Sequence, residues 1–170
     1  MKLVGFSTIV ARRVVISILA AFVLAAVAPQ SAFAQSNPEV GTWKLNLGKS
    51  KYSPGPPPKS QTLTYEAVGQ GLRLTGDGID ADGKSAKGVI MQINDGKSYP
   101  TTTTVLPGSD ASAYTRVNAS TVSFKRMLAG KVVQTGSRVV SADGKTMTVT
   151  TTGVNAKGQQ INEVGVYDKQ

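Results

Sequence analysis

Thr121-Val122-Ser123-Phe124-Lys125-Arg126-Met127-Leu128 alternates small or charged residues with large ones, stops at Ala129-Gly130, and resumes as Lys131–Ser141. Asp143-Gly144-Lys145 then turns the chain into Thr146–Val154, which alternates again. A period of two sends successive side chains to opposite faces of a strand. Asp-Gly tolerates the positive φ angles of turns whose twist matches paired strands. The stretch therefore reads as three consecutive antiparallel strands, and no helical spacing interrupts them.

Outward from this stretch the same grammar holds. Strands are predicted at Glu39–Leu47, Ser60–Val68, Leu72–Ile79, Ser85–Asn94, Ser98–Leu106, Ser112–Asn118 and Gln160–Asp168. The D-G-K turn recurs at Asp82-Gly83-Lys84 and Asp95-Gly96-Lys97, and each is expected to close a hairpin. Gly69-Gln70-Gly71 and Lys157-Gly158 are weaker signals of the same kind. The fold class expected is all-β: a single antiparallel meander β-barrel of about eight to ten strands, closed on itself to remove its edges. Ser53-Pro54-Gly55-Pro56-Pro57-Pro58 cannot be helix or central strand, so it is a stiff connector after the first strand. Thr101–Thr104, between Pro100 and Pro107-Gly108, carries little register information and is expected at an edge or in the least regular part of the sheet.

The N-terminus has a different character. Lys2, Arg12 and Arg13 precede the apolar run Val14–Ala28, and Ala32-Phe33-Ala34 offers a small-x-small cleavage site. That order is a secretory signal peptide. The domain expectation is residues 1–34 as leader, cleaved after Ala34, and residues 35–170 as one barrel domain in the periplasm or outside the cell. No later run reaches the ~20 apolar residues of a membrane helix, so no membrane span is expected in the mature form, which is read as a monomer.

The full chain has 19 Lys+Arg, 10 Asp+Glu, and neither His nor Cys. Three of those cations and none of the acids lie in the leader, leaving +6 on the remainder. The mature cations spread from Lys44 to Lys169 with no run of three, the pattern of an evenly basic solvated surface rather than a nucleic-acid site. Without His or Cys there is no disulfide, no Cys/His zinc site, no thiol nucleophile and no imidazole base. Asp77, Asp80 and Asp82 with Gly83 have part of the spacing of a calcium loop. A bidentate acid is missing downstream and Lys84 would repel the ion, so a solvated hairpin is expected. No catalytic residue, metal or cofactor is assigned, and the chain is read as a non-enzyme.

Alternation also sorts faces. Trp43, Leu45 and Leu47 fall together, as do Leu63 with Tyr65, Val89 with Met91 and Ile93, and Met147 with Val149. Val122, Phe124 and Arg126 share a face, and so do Ile161, Glu163, Gly165 and Tyr167. These are the expected inner faces. Trp43 is expected to plug the closed end against a cationic stem. Tyr65, Phe124, Arg126 and Tyr167 are the candidate ligand-binding residues. An inward Arg126 needs an acid, water or an anionic ligand. Glu163 is the partner that parity suggests; an anionic head group and a solvent-turned side chain are the alternatives.

Gly41-Thr42-Trp43-Lys44-Leu45 resembles the G-x-W opening of lipocalins and the G-T-W-K-L start of fatty-acid-binding proteins. Val164-Gly165-Val166-Tyr167-Asp168-Lys169 resembles the R-x-Y-(E/D)-K close of the second family. Over its mature length, with its opening W-K-L-N-x-x-K-S-K-Y-S-P-G-P, the chain is similar to a group of exported bacterial proteins of unknown function. The resemblance implies a lipocalin-like (calycin) barrel. It implies a ligand contact for Tyr167 only, because Gly165 stands where the fatty-acid-binding proteins carry the arginine that meets a carboxylate. The proline-rich stretch stands where that family has its two lid helices. The expected role is binding of a small apolar or amphipathic molecule. The alternative is a solid-cored interaction module that meets an envelope polymer or a protein partner through its basic outer surface.

Overall fold

The computed structural model describes residues 37–101 and 103–170. The expected leader and its cleavage site lie outside the described residues. The described chain runs β1 (Gly41–Leu45), a 3-10 turn (Leu47–Lys49), β2 (Lys51–Ser53), β3 (Ser60–Val68), β4 (Gly71–Ile79) and β5 (Ser85–Gln92). It continues as β6 (Asp95–Pro100), β7 (Ala111–Arg116), β8 (Thr121–Leu128), β9 (Lys131–Val140), β10 (Thr146–Val154) and β11 (Gln160–Lys169). All pairings are antiparallel, in the order β5-β4-β3-β1-β11-β10-β9-β8-β7-β6, with β2 added beside β11. The meander curls because β1 pairs with both β3 and β11, bringing the first and last described strands together. Among the described residues no helix is long and apolar enough to cross a membrane.

The barrel is not closed by hydrogen bonds: β5 and β6 are the two ends of the sheet order. This corrects the expectation of a fully closed barrel, and at this seam Asp95-Gly96-Lys97 does not form the hairpin expected of it. Asp95 pairs with Thr115, so it already belongs to β6, and the register shifts between Asp95 and Ser98. Asp95 Oδ1 accepts from Lys97 N at 2.9 Å, Oδ2 accepts from Tyr99 Oη at 2.8 Å, and Gly96 takes φ +78°. The motif is spent on an edge irregularity, not on a hairpin. The other two D-G-K motifs do join paired strands, β4 to β5 and β9 to β10.

Residues 103–110 are not the strand expected to reach Leu106 but a strap across the sheet. Thr104 Oγ1 donates to Lys87 O at 2.8 Å and accepts from Lys87 N at 2.9 Å, bonding to the backbone of β5. Val105 and Leu106 are buried in the core. Gly76 and Gly88 are direct register partners, and together they leave a dent in the inner wall. Val105 lies against Gly76 and Thr103 against Gly88, where a Cβ would overlap them. The strap then passes Gly108 beside Ala156 in the β10–β11 turn, and Asp110 Oδ2 accepts from Ala129 N in the β8–β9 turn at 2.8 Å.

The main core gathers Trp43, Leu63, Tyr65, Leu74, Ile90, Met147 and Tyr167 with their neighbours, and a second cluster holds Tyr114, Val122 and Phe124. Two face assignments are corrected. Leu47 is exposed on the 3-10 turn. In β5, Val89 and Met91 are 57% and 49% exposed, whereas Ile90 and Gln92 are buried. The inner face of β5 is thus Gly88, Ile90 and Gln92, chosen by the strap that fills the glycine dent and by an arginine that needs the Gln92 amide.

Candidate ligand-binding interior

The inner wall of β7, β8 and β9 is polar at both ends and aromatic between them. In register, Ser112 faces Arg126, Tyr114 faces Phe124, and Arg116 faces Val122. On the other side of β8, Arg126 faces Gln134, Phe124 faces Gly136, and Val122 faces Arg138. Gly136 leaves room for the Phe124 ring, whose Cζ would lie 2.5 Å from a Cβ there. Arg126 Cζ sits 4.8 Å from the Phe124 centroid, and Phe124 lies 6.3 Å from Tyr114. Arg138 Cζ lies 5.9 Å from the Tyr114 centroid and 4.7 Å from that of Tyr65. Two guanidiniums and three rings thus form one ladder of cation–π and aromatic contacts.

The two arginines differ in their partners. Arg138 is 4% exposed and well matched. Its Nε donates to Glu39 Oε1 at 2.6 Å, Nη1 to Tyr65 Oη at 2.9 Å and Nη2 to Gln92 Oε1 at 2.7 Å. Burial works against its charge, but Tyr65 and Glu39 beside it hold its pKa above the ordinary arginine value. Burial pushes the Tyr65 phenol up to about 12 even though Arg138 pulls it down.

Arg126 is poorly matched. Nη1 donates to Gln134 Oε1 at 2.8 Å, and Gln134 Nε2 donates to Val154 O at 3.1 Å. Arg126 Nε is buried without a partner, and burial lowers the arginine's pKa. Ser112, its register partner, is 1% exposed and its Oγ is also unpartnered. The expected Arg126–Glu163 pair is not among the ion pairs of the described residues. Glu163 does face inward, half-buried, and burial raises its carboxyl pKa while Arg126 lowers it.

Of the other candidates, Tyr65 is committed to Arg138, and Phe124 carries Arg126. The Tyr167 hydroxyl donates to Gln61 Oε1, and burial pushes its pKa well above the ordinary phenol value. Tyr52 on β2 brings its hydroxyl over Gly165 on the inner face, near Tyr167. Trp43 is fully buried, with Nε1 donating to Glu39 O at 2.8 Å and Lys169 Nζ 5.0 Å from its ring. Asp77 pairs with Lys87 at 2.9 Å and Asp82 with Lys157 at 3.6 Å, while Asp80 Oδ1 accepts from Lys84 N. Among the described residues no cluster of acids is placed to hold a metal ion.

Sequence reasoning missed Ser112, Gln134, Glu39, Gln92 and Arg138. In β9, Gln134, Gly136 and Arg138 alternate with Thr135, Ser137 and Val139, and the only apolar side chain of the two sets misleads. A strand whose outer face holds Val139 at 40% exposure has its polar side inward.

No protein-family model matches the chain, and no curated protein does. Among solved structures, a zebrafish ileal bile acid-binding protein complexed with cholic acid matches with a TM-score of 0.50 and 13% identity. The match covers 78% of this chain and 99% of that one. It shows the fold alone. The chain shares with that protein an antiparallel meander sheet curled as a β-barrel. A redesigned β-barrel, mFAP0, bound to DFHBI matches over the same shares with 12% identity and a TM-score of 0.39.

Proposed function

We propose that the chain is an exported, monomeric, non-enzymatic barrel protein that binds one small amphipathic molecule on its inner wall. The observation that carries this reading is a pair of buried, unpartnered polar atoms, Arg126 Nε and Ser112 Oγ, on residues that are register partners in β7 and β8. Buried donors without acceptors cost about 1–3 kcal/mol each, and an anionic head group would satisfy both. Phe124, Tyr167 and Tyr65 are the aromatic side chains of the same wall, buried in the core clusters, and would meet the apolar part of such a ligand. The zebrafish protein of this fold is complexed with cholic acid, an amphipathic carboxylate, which supports the ligand class. Export rests on the leader pattern of residues 1–34, and the non-enzymatic reading on the lack of His, Cys and any activated nucleophile.

Thermal melts with laurate and cholate test the proposal. Wild type should gain stability as ligand is added. Arg126→Met should leave the ligand-free protein as stable or more so, because a half-partnered buried charge is removed, and should abolish the gain. Unmoved wild-type melts, or an undiminished response in Arg126→Met, would refute it.

A second reading, the solid-cored interaction module, has one observation in its favour. Val105 and Leu106 fill the β4–β5 side of the interior. Two depressions of about 460 and 570 Å³ are lined mainly by outward-facing side chains of β1, β3, β4 and β5, including Lys44, Thr62, Asp77 and Lys87. Melts insensitive to every amphipathic anion would favour this module.

A further inference from the structure

Glu39 lies two residues before β1, on a turn in which its N–H donates to Asn37 Oδ1 at 3.1 Å and Val40 N–H to Asn37 O at 2.9 Å. Its side chain is 1% exposed. Oε1 takes Arg138, and Oε2 accepts from Arg116 Nη2 at 2.7 Å. Everything around that carboxylate comes from the barrel wall: Tyr65 and Gln92 fix the Arg138 guanidinium, and Ala119 O in the β7–β8 turn accepts from Arg116 Nη1 at 3.1 Å. Two arginines therefore converge on one carboxylate, with a local excess of positive charge. The wall forms a receptor that gives each carboxylate oxygen its own arginine, Arg138 on Oε1 and Arg116 on Oε2, and the chain fills it from a short segment outside the sheet. Arg116, 31% exposed, gives the receptor a solvent-facing side.

We propose that Arg138 and Arg116, positioned by Tyr65 and Gln92, are a carboxylate-binding site whose resident occupant is the chain's own Glu39, and that free carboxylates exchange with it. The site is separate from Arg126 and does not depend on the ligand reading above. A tethered occupant has a high effective concentration, so exchange in wild type requires carboxylate in excess. Displacing Glu39 moves its carbonyl, which accepts from Trp43 Nε1. Trp43 is the one tryptophan in the chain, so its single indole N–H resonance reports the event.

The experiment has two arms. In wild type, acetate at about 0.1 M and above, against chloride at equal ionic strength, should shift the Trp43 indole resonance and speed its hydrogen exchange. In Glu39→Ala, the same acetate should raise the Tm by about 5 °C through binding to the vacated site. Glu39→Ala/Arg138→Met should lose that response, and Glu39→Gln, whose amide fills the site, should show little. Should Glu39→Ala not fold alone, recovery of its near-ultraviolet circular dichroism in acetate becomes the readout. An indole resonance indifferent to carboxylates would overturn exchange. A Glu39→Ala protein that acetate neither stabilises nor refolds would overturn the site itself. Loss of the acetate response through Arg138, with the laurate response intact, separates this site from Arg126.

Discussion

Arg138 and Arg126 occupy the same wall, yet their contributions to stability should differ in sign. Arg138 has a carboxylate, a phenol and an amide, and each was brought by a different element, so removing one partner strands the rest. Tyr65→Phe deletes a single hydroxyl from a charged hydrogen bond and should cost about 1.5–3 kcal/mol in urea melts. A cost below ~0.5 kcal/mol would mean that the Tyr65–Arg138 bond does not hold the network. Glu163 gives the opposite prediction. Its folded pKa is raised, by burial first, against the Arg126 attraction, whereas the unfolded chain ionises it near the ordinary ~4.3. Ionisation therefore favours unfolding, and stability is lost as pH rises from the ordinary value through the raised one. Glu163→Gln should increase the Tm at pH 7 and leave it unchanged at about pH 3. Destabilisation at pH 7 would instead show that Arg126 depends on the Glu163 charge, the pairing suggested by parity.

Strands were most legible where a hairpin and a one-sided apolar face agree. Ser60–Val68, Thr121–Leu128 and Thr146–Val154 have the bounds that alternation and turns predict. Arg126 and Phe124 share the inner face for the same reason. Hydrophobic alternation fails where the inner face is itself polar or bare. In β5 the inner positions are Gly88 and Gln92, so Val89 and Met91 looked like the core and are not. In β9 the same inversion hid Arg138. Both inversions depend on distant segments, the strap and Glu39, which no local pattern contains. The strap supplies the prediction at this scale. A methyl group on Gly88 must displace Thr103, and the Thr104 bonds to Lys87 should loosen with it. Gly88→Ala should therefore open residues 103–109 to limited proteolysis, with the β7–β10 wall still protected. Unchanged cleavage would mean that the strap is held from the β8–β9 and β10–β11 turns alone.

At the scale of the molecule, β1 and the end of β11 are bound together at one end of the barrel. Trp43 pairs with Lys169 across β1 and β11, and Gln170 N donates to Thr42 O at 2.9 Å. Glu39, a little upstream, closes the same region from inside through Arg138 and Arg116. The cleavage proposed after Ala34 would leave Gln35 and Ser36 ahead of the turn that presents Glu39. It would also remove the apolar run Val14–Ala28. Expressed in a bacterial host with a general secretory pathway, the soluble exported fraction should give the intact mass of residues 35–170. A mass that still includes Val14–Ala28 in that fraction would sink the export reading. A start downstream of Glu39 would do different damage, since Arg138 would then be buried without its carboxylate, at a cost of about 3–5 kcal/mol. Such a species should be scarce, and any that is recovered should melt well below the form that begins at Gln35.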